Sequence, residues 1–218
     1  MIPTTTLLLT LAAGLTTASP LLPRAGGPPK SQASAFSLIA NVTDTAKAAT
    51  LFGPYIPVHN TYITFVHSDS GFHPASLHTV TRSAFFVNGT AQDVSSASTS
   101  INMPPIEQNN RFAPQGLQFL PDGSVGLQVG FPTTGAGIRG GLRSAYPVAF
   151  GPGSGQFVVC NEAATGGLTR AVKYIEGEEA ENCLGIKLLA YCTGFPEGTI
   201  KDEAKAALKL EVQNVDCY

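Results

Sequence analysis

The chain has 218 residues, of which 13% are charged, and its formal net charge is −2 from 13 Lys and Arg against 15 Asp and Glu. This balance excludes a strongly basic protein that binds nucleic acid or an anionic membrane surface. Apolar residues make up 43% of the sequence, which is enough for a packed core, while 23 Gly and 16 Pro favour short strands and many turns over long helices.

The first 18 residues have the pattern of a secretory signal peptide. An apolar run over 7–15 is followed by a Thr-Thr-Ala sequence that ends at Ala18 and provides small residues before a cleavage point. The run is too short to span a bilayer, and the lack of Lys or Arg near Met1 departs from the usual pattern. The alternative is a buried N-terminal helix. We predict a signal peptide over 1–18 and an exported chain with no membrane anchor after cleavage.

Residues 19–35 are rich in Pro and Gly and show no apolar period, which predicts a flexible leader. A propeptide cleaved after Arg24 is the alternative reading of this stretch. We predict one β-rich domain over 36–218, with a C-terminal extension from about residue 193.

Alternating apolar residues begin at Phe36 and are typical of β-strands. The Pro-Asp-Gly turn at 121–123 marks the clearest hairpin. Residues 91–115 and the Gly-rich 132–141 are interpreted as loops, and the Ala-rich 201–207 as one short helix. The sequence thus predicts an all-β, mainly antiparallel fold, a β-sandwich or Greek-key-like arrangement with at most one short helix. The predicted strands cover 36–42, 61–67, 77–87, 116–120, 125–129, 156–160, 169–175, 185–191 and 208–212.

Two Asn-x-Thr patterns, beginning at Asn41 and Asn88, are acceptors for N-glycosylation in an exported protein. Each three-residue pattern arises often by chance. Together with the signal peptide they predict a secreted glycoprotein whose location is extracellular, with association with a cell wall as a further option.

The four cysteines are even in number, which in an exported chain predicts two disulfides. The sequence contains no Cys-x-x-Cys spacing, and this argues against a zinc site or a redox pair. Four cysteines allow three connectivities, so their positions leave the pairing open. They are Cys160, Cys183, Cys192 and Cys217.

Several short motifs between 36 and 192 resemble a family of secreted ascomycete proteins built on a single β-rich domain of unknown function. They cover 36–44, 66–71, 85–90, 151–161 and 182–192, and the last contains a leucine pair between two cysteines. Asp69 and Ser70 depart from the small residues that the family has in its second motif. The resemblance implies an extracellular fungal domain and no catalytic residue, and it favours pairing of neighbouring cysteines over the nested alternative.

Four histidines fall within 20 residues, and Asp69 lies among them. One interpretation is a metal or acid–base site. Because their spacing matches no known ligand motif, we favour histidines scattered over strand ends and a loop. We assign no catalytic, cofactor-binding or metal-ligating residue and expect no cofactor. The histidines are His59, His67, His73 and His78.

Trp is absent, although five tyrosines could offer flat faces to a sugar: Tyr55, Tyr62, Tyr146, Tyr174 and Tyr191. Tyrosines on the strands of a β-sandwich more often pack in the core or at a sheet edge, and we favour that interpretation. The acidic run 176–181 lacks the spacing of a calcium loop and is interpreted as a solvated turn.

We therefore favour a non-catalytic extracellular protein, an effector or a cell-wall-associated protein that presents loops 91–115 and 132–141. Its candidate partners are a wall polysaccharide or a host protein. We expect no binding to nucleic acid. The alternative is a small secreted hydrolase or metal-dependent enzyme that uses His67, Asp69 and His78.

Overall fold

The computed structural model describes residues 31–42, 44–54, 57–130, 132–140, 146–164, 167–195 and 198–218. The predicted signal peptide and most of the predicted leader lie outside these ranges. The last residues of that leader form a strand, because Ser31–Ala33 pairs with the strand that contains Cys217.

Fifteen strands and three short helices make up the described chain. The strands are β1 (Ser31–Ala33), β2 (Ala35–Val42), β3 (Thr61–Phe65), β4 (Phe72–His78), β5 (Phe86–Asn88), β6 (Ser100–Gln108), β7 (Arg111–Phe119), β8 (Val125–Val129), β9 (Gly137–Arg139), β10 (Val148–Phe150), β11 (Gln156–Ala164), β12 (Gly167–Ile175), β13 (Cys183–Thr193), β14 (Val212–Gln213) and β15 (Val215–Cys217). The helices are α1 (Thr45–Phe52), α2 (Ala91–Ser96) and α3 (Asp202–Leu208).

Six antiparallel strands close into a barrel in the order β12, β11, β13, β2, β3 and β4. The closing contact joins Ala171 on β12 to Ser76 on β4. A closed barrel leaves no unpaired edge between its first and last strand. The all-β antiparallel prediction is confirmed, and the barrel is more specific than the sandwich or Greek-key-like arrangement expected from the sequence.

A second sheet is continuous with the barrel because strand β4 belongs both to the barrel and to this sheet. The first residues of β4 pair with β8, and the order continues through β7, β6, β5 and β14. One continuous core lies within and between the two sheets. At its centre the ring of Phe85 packs against Phe36 and Phe65, with ring centroids 6.2 and 6.0 Å apart.

The interpretation of 91–115 as a loop is wrong. This stretch holds α2, all of β6 and half of β7, and the two strands form a hairpin that turns at Asn109 and Asn110. Both asparagines have positive φ, 52° and 58°, as a tight hairpin turn requires. An Asn-Asn turn between alternating apolar residues was the signal that could have revealed the hairpin.

The single strand predicted over 77–87 is also wrong, because β4 ends at His78 and β5 begins only at Phe86. The imidazole Nδ1 of His78 accepts hydrogen bonds from the backbone N–H groups of Val80 and Thr81, which turns the chain away from the sheet. The chain continues outward, and Val80 is 80% exposed.

The structure has two more helices than the single one predicted. Asp44 caps α1 by accepting a hydrogen bond from the N–H of Lys47, and a reciprocal box between Thr90 and Asp93 caps α2. The third helix, α3, matches the predicted 201–207. No helix in the described part of the chain is long and apolar enough to cross a membrane.

Both predicted disulfides are present, and they join neighbouring cysteines along the chain. Cys160 on β11 bonds to Cys183 on β13, its partner in the strand register, with Cα atoms 4.0 Å apart. Cys192 on β13 bonds to Cys217 on β15, with Cα atoms 5.0 Å apart. The final strand does not pair with the start of β13, so the nested connectivity has no geometric support.

Candidate functional site

Two of the predicted histidines meet at the tip of the β3–β4 hairpin. The rings of His67 and His73 stack with centroids 5.1 Å apart, and Nε2 of His67 lies 3.8 Å from the Asp69 carboxylate. Nδ1 of His73 accepts a hydrogen bond from the N–H of Ser68. The side chains of His67 and Asp69 are 84% and 106% exposed, so this cluster stands in solvent rather than in a cleft.

His78 lies at the opposite end of β4, five residues beyond His73 and thus about 16 Å away along the strand. The structure therefore does not bring His67, Asp69 and His78 into one site. His59 is engaged elsewhere, where its Nδ1 accepts a hydrogen bond from the N–H of Val42. Within the described ranges, no three His, Cys, Asp or Glu side chains are arranged to hold a metal ion.

Tyrosines gather on the outside of the barrel beside β13. The ring of Tyr218 lies edge-on to Tyr146 and to Tyr191, with centroid distances of 4.7 and 5.3 Å and interplanar angles of 74° and 84°. Tyr146 is 39% exposed and Tyr191 is 36% exposed, so both offer ring surface to solvent. We refer to Tyr62, Tyr146, Tyr191 and Tyr218 as the tyrosine patch.

The backbone holds Tyr218 and Tyr146 against the same edge of β13. The N–H of Tyr218 donates to the carbonyl of Ala190, and the N–H of Cys192 donates to the carbonyl of Tyr218. The carbonyl of Pro147 accepts from the N–H of Ala190, which anchors the residue after Tyr146. Since the disulfide of Cys192 is adjacent to these bonds, it fixes the position at which Tyr218 enters the patch.

Phenol groups dominate the electrostatics of the patch. Burial raises the pKa of Tyr218, and the neighbouring phenols of Tyr146, Tyr62 and Tyr191 raise it further. The raised pKa keeps the hydroxyl group of Tyr218 neutral at physiological pH, and the patch as a whole presents phenol groups and aromatic faces. Such amphipathic surfaces suit a ligand that offers both C–H faces and hydroxyl groups.

The two other tyrosines considered from the sequence do not join the patch. Tyr174 lies in the barrel core, where its ring meets Phe119 and Phe157 at centroid distances of 5.3 and 5.0 Å. Tyr55 lies outside the described residues. Tyr218 was not among the sequence candidates, although its position directly after Cys217 was a signal that a disulfide would fix its location.

The predicted glycosylation acceptors lie on different strands. Asn41 is on β2 opposite Lys187 and is partly exposed. Asn88 ends β5, and its side-chain oxygen accepts a hydrogen bond of 2.7 Å from the N–H of Glu211. A glycan would be attached to the side-chain nitrogen of Asn88, and this hydrogen bond engages only the side-chain oxygen.

The sequence profile of one family, described as Domain of unknown function (DUF7907), matches residues 33–192. The chain belongs to this family. The matched region of this DUF7907 protein includes all of the barrel strands except Thr193, the last residue of β13, and three tyrosines of the patch, whereas Cys217 and Tyr218 lie beyond it. Comparisons with curated proteins and with solved structures found no match.

Proposed function

We propose that this protein is a secreted, N-glycosylated fungal protein that binds a neutral polysaccharide of the cell wall through the tyrosine patch and catalyses no reaction. The observation that carries the proposal is the contact of Tyr146 and Tyr191, each more than one-third exposed, with Tyr218 beside β13, while Tyr62 on β3 is near enough to raise the pKa of Tyr218. Four of the six tyrosines in the sequence take part.

The geometry of the patch supports a sugar ligand. Tyr146 and Tyr191 both contact the ring of Tyr218, and each of the two rings lies within about 20° of perpendicular to it. Both rings keep exposed surface for the C–H faces of a sugar, while their hydroxyl groups can bond to sugar oxygens. Because the rings are held by β13 and a disulfide, little conformational entropy is lost on binding.

A neutral ligand is favoured because the side chains that define the patch are phenols rather than Arg or Lys. Burial is the main cause of the raised pKa of Tyr218, and the groups that raise it further are the phenols of Tyr146, Tyr62 and Tyr191. An acidic polysaccharide would instead be recognised by Arg or Lys side chains that pair with its carboxylates.

Export and glycosylation form the other part of the proposal. The apolar N-terminal run, the Asn41 and Asn88 acceptors and the two disulfides all suit the secretory pathway. Sequencing the N-terminus of protein recovered from the culture medium tests this part. A start near Ser19 is expected, and retention of Met1 would contradict it.

The binding proposal is tested by co-sedimentation of the purified protein with insoluble chitin and with insoluble β-glucan. We expect retention on at least one of these polymers. Replacing Tyr191 by Ala removes an exposed ring and should weaken retention about tenfold, an effect typical of an aromatic residue at a binding centre.

Phe112→Ala is the matched control because Phe112 is a partly exposed aromatic residue on β7, in the second sheet. It should leave retention unchanged. Circular dichroism of both variants verifies that the fold is retained. Absence of retention on both polymers, or equal weakening by both variants, would contradict the proposal.

A further inference from the structure

A cleft of about 360 Å³ lies where β3, β4 and the start of β12 approach one another. No residue of the tyrosine patch lines this cleft, although Tyr62 of the patch pairs with His78 across β3 and β4. The polar residues around it are Thr64, Ser76, His78, Thr81 and Arg170, and its remaining lining is apolar. Among the described residues that line it, none carries a carboxylate, and Arg170 is a cation.

Arg170 is a partly buried cation with one hydrogen bond to the backbone. One guanidinium nitrogen donates to the carbonyl of Pro57 at 2.7 Å. Burial lowers the pKa of Arg170, and in the described ranges its guanidinium pairs with no carboxylate. Leaving a cation partly dehydrated without a counter-charge is unfavourable, so an incoming anion would relieve this cost.

The bond to Pro57 uses one of the five N–H donors of the Arg170 guanidinium. A purely structural role, tying the connection between α1 and β3 to the barrel, needs only that single donor. The planar fork of an arginine matches the two oxygens of a carboxylate, phosphate or sulfate group.

His78 adds a second donor of defined orientation. Its Nδ1 accepts from the backbone N–H groups of Val80 and Thr81, at 3.2 and 2.9 Å. A nitrogen that accepts two hydrogen bonds carries no proton, so the proton of the neutral imidazole is on Nε2. The hydroxyl groups of Thr64 and Ser76, which face each other across β3 and β4, supply further donors to the same cleft.

We propose that this cleft binds an oxyanion group of a ligand, a carboxylate or a tetrahedral phosphate or sulfate, with Arg170 as the principal contact and His78 as a second donor. The inference does not depend on the polysaccharide proposal. It rests on an unpaired guanidinium, an oriented imidazole and hydroxyl groups around one cavity of sufficient volume for a single acidic group.

The test is a titration of the full folded protein, followed by the amide signals of β3, β4 and β12 in NMR spectra. The probes are sodium acetate, sodium phosphate and sodium sulfate, with sodium chloride at matched ionic strength as the reference. Saturable shifts confined to the cleft support the proposal. Saturation by acetate alone identifies a carboxylate, and saturation by phosphate or sulfate identifies a tetrahedral oxyanion.

Three variants separate binding from structure. Arg170→Gln keeps a donor for Pro57 and removes the charge, so affinity should fall about tenfold or more. Arg170→Lys keeps the charge but not the fork, and an intermediate loss is expected. Arg111→Gln changes an exposed arginine at the start of β7 and should have no effect.

His78→Gln provides an independent test if Arg170→Gln does not fold. It should weaken binding severalfold because the Nε2 donor is lost. Absence of saturable shifts with all three probes at millimolar concentration would overturn the proposal. So would affinities unchanged in every folded variant at Arg170 and His78.

Discussion

The barrel and the segment over 194–218, here called the terminal segment, are held in place by different kinds of contact. The barrel has long ladders, such as the eight paired residues between β13 and β2, around a continuous core. The terminal segment contributes only β14, with two paired residues, and β15, with three. It compensates with side-chain anchors, among them the Cys192–Cys217 disulfide and the bond from Glu211 to Asn88.

The two disulfides are similar in length of loop but stabilise different parts of the protein. The disulfides span 23 and 25 residues, so their effects on the unfolded chain should be nearly equal. Cys160 and Cys183, however, sit on strands already paired in the barrel. Cys217 sits on a short strand that is otherwise held by three residue pairs with β1 and by the two backbone hydrogen bonds of Tyr218 to β13, and the tyrosine patch depends on its position.

Removing each disulfide separately gives the largest expected effect. Cys160→Ala with Cys183→Ala, and Cys192→Ala with Cys217→Ala, should each lower the free energy of unfolding by about 3 kcal/mol in urea titrations. Only the second pair should release the terminal segment, seen as rapid hydrogen exchange of the Tyr218 amide and loss of polysaccharide retention. Equal hydrogen exchange of the Tyr218 amide in both variants would show that the two disulfides do not differ in how they hold the terminal segment.

A smaller effect is expected at the anchor between β5 and the terminal segment. Asn88→Ala removes the acceptor for the N–H of Glu211 and should cost about 1 kcal/mol of unfolding free energy. The comparison uses unglycosylated protein refolded from a bacterial host, so that glycan loss does not contribute.

Asn41→Ala is the matched control, since Asn41 is also an acceptor residue on a strand but belongs to the barrel. Its unfolding free energy should change less than that of Asn88→Ala. In protein from a eukaryotic host, each variant should instead lose the mass of one glycan. A larger loss of stability at Asn41 would contradict the anchoring role of Asn88.

The smallest expected effect concerns alkaline pH. The pKa of Tyr218 is raised in the folded protein. Folding therefore favours the neutral phenol relative to the unfolded chain, in which the phenol titrates at about pH 10. Its contribution to stability is complete below that pH and is lost as the pH rises through the folded pKa. Tyr218→Phe cannot ionise, so its unfolding free energy should fall less above about pH 10 than that of the unaltered protein.

Urea unfolding of both proteins at pH 9 and at pH 11 measures this difference, and the other titrating groups are common to both. Identical pH dependence would mean that Tyr218 is not buried in the patch.

Much of the fold was predictable because a strand with one buried face repeats every two residues, a pattern that a short stretch of sequence already contains. The hairpin around the Pro-Asp-Gly turn, strands β11 to β13 and helix α3 were all expected. The errors arose at 77–87, 91–115, 132–141 and 208–212. In the first two stretches, local hydrogen bonds at His78 and paired asparagines override the apolar pattern. The stretch 132–141 holds strand β9 rather than a loop, and the strand predicted over 208–212 is wrong because α3 ends at Leu208 and β14 begins only at Val212.

The candidate site was less accessible to sequence reasoning. Tyr62, Tyr146 and Tyr191 were considered as separate rings, and Tyr218 was not considered. Arg170 was not considered. It lies on the same face of β12 as the buried Val172 and Tyr174, and a charged side chain on a buried strand face is unusual.

The sequence by itself determined the strand content, the number of disulfides and the acceptor asparagines, because each depends on neighbouring residues or on composition. Only the tertiary structure decided that Ala171 meets Ser76 to close the barrel, that Cys217 pairs with Cys192, and that distant tyrosines share one surface. These outcomes join residues far apart in the chain. Their geometry is set by the twist and order of the strands between them, which no local pattern specifies.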